Sequence, residues 1–123
     1  MSVATFNADL DKFARSTGLE IEKVVRKIAV EIYKGVTEKT PVDTGRAKAN
    51  WNIGYGSINF TITKDTQFRI ISPPKGSGKR PIYITNHLPY IGALEGGSST
   101  QAPNGMVDLT MLQVQRSIRN VVR

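Results

Sequence analysis

The sequence predicts an α+β domain: a long N-terminal helix and a C-terminal helix packed on a small, mainly antiparallel β-sheet of about four strands. Three observations lead there. Apolar residues recur at helical spacing over residues 19–39 and again over 106–122. Between these segments the period changes to alternation, as in half-buried strands. Helices and strands are therefore segregated along the chain rather than interleaved.

Residues 4–16 predict a first helix, with Phe6, Leu10, Phe13 and Ala14 on one face. Ser16-Thr17-Gly18 ends it, with Gly18 as the C-terminal cap. The second helix, 19–39, carries a stripe of Ile21, Val25, Ile28, Ile32 and Val36, widened by Val24 and Ala29. Its polar face offers Glu22–Arg26, Lys27–Glu31 and Lys34–Glu38 as i, i+4 contacts, each worth about 0.2–0.5 kcal/mol. Pro41 stops this helix because it lacks an N–H and clashes with the preceding turn.

From Asn50 onward, Trp51, Ile53 and Tyr55 alternate, and after a turn at Gly54, Gly56 and Ser57, so do Ile58, Phe60 and Ile62. Lys64-Asp65-Thr66 is the next turn, and residues 67–72 read as a third strand. Residues 73–81, with three prolines and two glycines, form a basic loop expected to be mobile, and 82–85 a short fourth strand. Residues 86–105 read as irregular but partly packed. The last helix shows Val107, Met111, Val114, Ile118 and Val121 on one face, with Asn104 as its expected cap. The core is expected to join Ile21, Val25, Ile28 and Ile32 to Ile53, Phe60, Ile62 and Ile70, closed by Val114 and Ile118.

At 123 residues the chain is expected to be a single domain spanning 1–123. It has no cysteine, which excludes disulfides and thiolate metal sites and fits a reducing compartment. No signal peptide and no membrane span are expected. The net charge is +7, and more than half of it falls in residues 64–80, where Lys64, Arg69, Lys75, Lys79 and Arg80 face only Asp65. Such a run attracts phosphate or an acidic protein surface, or simply solvates the segment. Phe68 is its one aromatic, whereas single-strand binders interleave several.

Catalytic and cofactor chemistry find little support in the residues. His87 is the single histidine, and no spacing assigns it a nucleophile. Asp43 and Glu95 are the carboxylates that would pair as acid and base, but they lie far apart in sequence. Gly76-Ser77-Gly78-Lys79 fails as a phosphate loop, because Pro73 stands where the first glycine belongs and Arg80 where Ser or Thr belongs. No cofactor and no metal ion are expected.

The most informative segment is Thr40-Pro41-Val42-Asp43-Thr44-Gly45-Arg46, leading to Asn50-Trp51. Its chemistry is that of a helix stop and tight turn: Asp43 and Thr44 bond local backbone, Gly45 accepts positive φ, and Trp51 enters the core. A second block comprises Asn86, Pro89-Tyr90, Leu94-Glu95-Gly96-Gly97-Ser98, Gln101-Ala102-Pro103 and Gly105-Met106-Val107. In order and spacing the two blocks resemble the neck and tail-completion protein family of long-tailed bacteriophages, over roughly residues 20–120. The chain departs from that pattern at Gly96, where an aromatic usually precedes the glycine, and in its basic 73–81 loop.

The resemblance implies a non-enzymatic virion protein that completes the tail or joins it to the head. It would act as a ring subunit at the neck, six-fold by analogy, after assembly in the host cytoplasm. It implies contacts with other neck or tail proteins and transient contact with phage DNA. Pro41, Asp43, Thr44, Gly45, Arg46 and Trp51 would be the structural motif, with Lys75, Lys79, Arg80, Tyr90 and Glu95 as interface candidates. The alternative from charge alone is a nucleic-acid-binding module using the 64–80 region.

Overall fold

The computed structural model describes residues 3–41, 45–64, 73–96 and 105–121. Helices α1 (Val3–Thr17) and α2 (Ile21–Lys39) come first, followed by a single turn, α3 (Arg46–Ala49). Strand β1 (Trp51–Tyr55) and strand β2 (Ile82–Asn86) follow, then α4 (Ile91–Glu95) and α5 (Val107–Val121). The α+β class holds. The sheet is smaller than expected: among the described residues it has two antiparallel strands, paired from Trp51 opposite Asn86 to Tyr55 opposite Ile82.

Amphipathic periodicity explains the helical part. Leu10, Phe13 and Ala14 of α1, Val24 and Ile28 of α2, and Val114 and Ile118 of α5 form one buried cluster. Apart from Ala14, each of these side chains contributes about 1.5–3 kcal/mol when fully buried. Gly18, at φ 70°, ends α1 as its composition predicts. Within α2, Gly35 lies where α5 crosses: a Cβ there would run into the Thr110 side chain. A second cluster lies farther along α2, where Ala29, Tyr33 and Val36 meet Trp51, Ile53 and Met106. Ile32 lies between the two and packs on both.

Several expected core positions lie elsewhere. Ile21 is 45% exposed, because it stands at the first residue of α2, where the stripe has not yet reached α1 and α5. Residues 58–62 alternate as a strand would, yet Ile58, Phe60 and Ile62 are 40%, 70% and 49% exposed. The segment is not a ladder partner of β1. It is held to the rest of the domain by side chains, as described below. Residues 67–72, the expected third strand, with Ile70, lie outside the described residues. Of the three helix-surface pairs, Glu22–Arg26 forms, at 3.6 Å, and among the described residues the other two do not.

The 86–105 segment is more regular than expected, since it contains α4. The 73–81 loop also has structure. Ser77–Lys79 make a 3-10 turn that lies against α2. The Gly78 amide donates to Glu22 Oε1 at 3.2 Å, and a Cβ at Gly78 would collide with the Glu22 backbone. The glycine-rich sequence serves a close approach between loop and helix.

One polar contact ties the chain's distant ends. Asp9 on α1 accepts from Gln115 Nε2 and from Arg119 Nε on α5, both at 3.2 Å. The Gln115 hydrogen bond is the main influence holding the Asp9 carboxyl below its ordinary range. Burial works the other way, and Arg119 and Lys12 add to the lowering.

Candidate functional site: a polar hub and the surfaces it leaves open

The first motif is a hub of side-chain-to-backbone hydrogen bonds. Thr40 closes α2, and its hydroxyl donates to the Val36 carbonyl at 2.6 Å. The same oxygen accepts the Trp51 indole N–H at 2.7 Å. Tyr33 donates its hydroxyl to the Trp51 carbonyl at 3.2 Å. The indole is thus fixed at its ring nitrogen by the helix end and at its backbone by the helix middle. Gly45 precedes α3 with φ 72°, the left-handed conformation its turn role predicts. Val42, Asp43 and Thr44 lie outside the described residues, so the expected bonds of Asp43 and Thr44 do too. Pro41 is buried behind Thr40, and Arg46 opens α3.

Asn50, 1% exposed, carries the next set of bonds. Its Nδ2 donates to Arg46 O at 2.8 Å and Thr63 O at 3.0 Å, and its Oδ1 accepts from Thr63 N at 2.8 Å. This amide satisfies both backbone groups of Thr63, as a neighbouring strand would. Asn52 adds bonds to the carbonyls of Asn59 and Thr61 at 3.1 and 2.7 Å. Thr85 Oγ1 and His87 Nε2 also reach Asn59 O, at 3.3 and 3.1 Å. Residues 59–63 are therefore pinned by side chains from β1 and the residue before it, and from the end of β2 and the residue after it. Sequence reasoning placed Asn50 in the first motif and gave no role to Asn52; two asparagines spaced by two are the signal that could have found this arrangement.

The two motif blocks meet here. Asn86 sits opposite Trp51 in the sheet, donates from Nδ2 to Ala47 O at 2.9 Å, and accepts from Leu88 N at 3.1 Å. Glu95, the last residue of α4, caps α5. Its Oε1 accepts from Met106 N and Val107 N, both at 2.8 Å, and its Oε2 from Asp108 N at 3.2 Å. Three amides that a helix start leaves without internal partners are thereby satisfied by one carboxylate. Burial pushes the Glu95 pKa up, but the three N–H donors from Val107, Met106 and Asp108 outweigh it, and the net shift is downward.

The sequence offers Glu95 as an interface candidate. Its carboxylate is committed within the domain. Asn104, the expected cap, lies outside the described residues.

Trp51, Asn86, His87, Ile91, Glu95 and Met106 border a mostly apolar cleft of about 350 Å³. His87 Nε2 is also 3.0 Å from Thr85 Oγ1, and its ring lies 4.8 Å from that of Phe60. Asp43 is outside the described residues, so no carboxylate pairing with Glu95 is seen. Among the described residues no cluster of His, Asp and Glu has metal-ligating geometry, and no helix is long and apolar enough to cross a membrane.

Three of the interface candidates are exposed together: Lys75, Lys79 and Arg80 project from the turn docked on α2, and none forms an ion pair among the described residues. Tyr90 is exposed at the turn before α4. The hub thus consumes its polar groups internally and leaves outside a basic turn, Tyr90 and the apolar residues of 58–62.

No curated protein and no solved structure matches the chain. A family model described as "Bacteriophage HK97-gp10, putative tail-component" matches residues 4–93. It takes in α1, α2, the whole first motif, both strands and Asn86–Tyr90, and stops before Glu95 and its α5 cap. The match spans 90 of the 123 residues, and the chain accordingly belongs to this family of bacteriophage tail components.

Proposed function

We propose that the protein is a non-enzymatic structural subunit of a phage particle that completes the tail or joins it to the head as part of a ring at the neck. The observation that carries this reading is family membership over residues 4–93. The hub supports it, because a motif whose side chains are spent on internal hydrogen bonds builds a rigid shape rather than a reaction centre. A ring requires heterologous contacts, one surface against a different surface of the next copy. The exposed basic turn and Tyr90 are the surfaces offered for that contact or for a neighbouring tail protein. Ring formation in the host cytoplasm precedes incorporation into the virion.

Complementation of a phage lacking the gene tests this reading. Particles made without the protein should be tailless or carry unjoined heads and tails, and the parent sequence should restore them. Electron microscopy of restored particles should place the chain at the neck or tail end. Normal infectivity without the protein would refute the proposal.

A second reading, contact with the DNA that passes through the neck, is favoured by Lys75, Lys79 and Arg80 standing exposed on one turn, with no ion pair among the described residues. Changing all three to Ala should leave monomer stability within about 0.5 kcal/mol, as exposed charges contribute little. The triple variant should block head–tail joining in the assembly reading. Normal joining with lost, salt-sensitive DNA affinity would transfer the role of this turn to nucleic acid.

A further inference from the structure

The segment after β1 has two unlike edges. Along one edge, the backbone groups of Asn59, Thr61 and Thr63 are bonded to side chains: Asn59 O, Thr61 O, Thr63 O and Thr63 N to Asn50 and Asn52, and Thr61 N to Asn59 Oδ1. Bonds on alternate residues are the period of an extended chain. The intervening residues, Ile58, Phe60 and Ile62, therefore direct their N–H and C=O groups to the opposite edge, where among the described residues they have no hydrogen-bond partner. Among the described residues of the strand region, their side chains are the most exposed apolar group. An open edge of this kind is a template for strand addition.

The sequence of this edge is nearly palindromic: Ser57-Ile58-Asn59-Phe60-Thr61-Ile62-Thr63. We infer that the partner is a second copy of the same segment, paired antiparallel about Phe60. This register sets Ile58 opposite Ile62 of the other copy, Asn59 opposite Thr61 and Phe60 opposite itself. The open backbone groups then fall on the hydrogen-bonded pairs of an antiparallel ladder. Apolar side chains of both copies join on one face.

Charge also suits this partner. Each copy carries +7, yet residues 56–63 hold no charged side chain, so the pairing opposes no like charges across the ladder. Lys64 falls opposite Gly56, which keeps the two Lys64 residues about 26 Å apart along the strands. Seven residues a side is well short of the roughly 20–30 a side of a stable interface. The dimer is accordingly weak, and the chain is mostly monomeric when dilute. The pairing is two-fold and closes no ring, so it stands independently of the tail role.

Sedimentation velocity of the full chain tests it, from about 10 μM to about 1 mM protein, the range in which so small an interface saturates. The expected result is a concentration-dependent shift from monomer to dimer. It should strengthen between about 50 mM and about 500 mM salt as the repulsion of two +7 copies is screened. DNA contact would weaken over the same range. Phe60→Thr should weaken dimerisation at least ten-fold with an unchanged circular dichroism spectrum.

The chain has no native thiol, so a single cysteine reports the register. Under mild oxidation Phe60→Cys should cross-link two copies, since Cα atoms of such a pair lie about 5.5 Å apart. Lys64→Cys should not. A monomer at every concentration and salt, or association unaffected by Phe60→Thr, would overturn the inference. So would equal cross-linking of both cysteine variants. A ring that forms and survives Phe60→Thr, with no dimer, would overturn this pairing while leaving the tail proposal intact.

Discussion

The three-helix cluster and the Trp51 hub are held by different physics. In the cluster, Leu10, Phe13, Val24, Ile28, Val114 and Ile118 exclude water from one another, and many apolar side chains of similar volume would serve. In the hub, Thr40, Asn50, Asn86 and Glu95 each satisfy named backbone or indole groups at fixed distances. There shape is not enough, because an isosteric replacement without the right donor or acceptor leaves a buried group orphaned. The cluster supplies cohesion that is graded in volume. The hub supplies a single geometry that depends on residue identity.

The largest effect should come from the cluster. Ile28→Ala should cost about 2–5 kcal/mol, whereas Ile28→Val should cost about 0.5–1.5 kcal/mol. Urea denaturation measures both. Equal losses would remove the graded character claimed for this region. Thr40→Val is the matched test of the hub. It conserves volume but leaves the Trp51 indole N–H without its acceptor, and should cost about 1–3 kcal/mol. Thr40→Ser, which keeps the hydroxyl, should recover most of that. If Thr40→Val melts like the parent, the hub is packing after all.

Gly45→Val should cost about 1–2 kcal/mol, because a β-branched residue must adopt the left-handed conformation there. The smallest of the hub effects, about 1 kcal/mol, should come from Glu95→Gln, which weakens a helix cap. This variant has a pH signature. The folded pKa of Glu95 lies below its ordinary value of 4.5, so its contribution is complete above that value and is lost as pH falls through the folded pKa. Asp9, also lowered, from 3.8, behaves in the same sense. The parent should therefore lose stability on acidification below about pH 4.5, and Glu95→Gln should flatten part of that slope. A slope unchanged in Glu95→Gln would mean the cap adds no charge-dependent stability.

The same division explains what the sequence made legible. Helices α2 and α5 were visible because burial recurs every three or four residues, and the turn at Gly45 because few residues tolerate its φ. The first motif was recognisable, and Trp51 proved buried as expected. The 58–62 segment misled because alternation measures extension, and an extended chain need not have a sheet neighbour. Asn50 and Asn52 stand in for that neighbour, and nothing local distinguishes such an asparagine from any other in a strand. The Glu95 cap was hidden for another reason. Its partners at 106–108 lie eleven to thirteen residues away in sequence, beyond the reach of any cap pattern read from adjacent residues.

That cap has a consequence for the connection it spans. The start of α5 is specified by a carboxylate at the end of α4, so the two helices are stapled together whatever their connection contains. Lengthening such a connection costs little, about 0.6 kcal/mol for each doubling. Residues inserted between Glu95 and Met106 should therefore leave the start of the last helix in place, as Glu95 still reaches the three amides. The family match ends just before this staple.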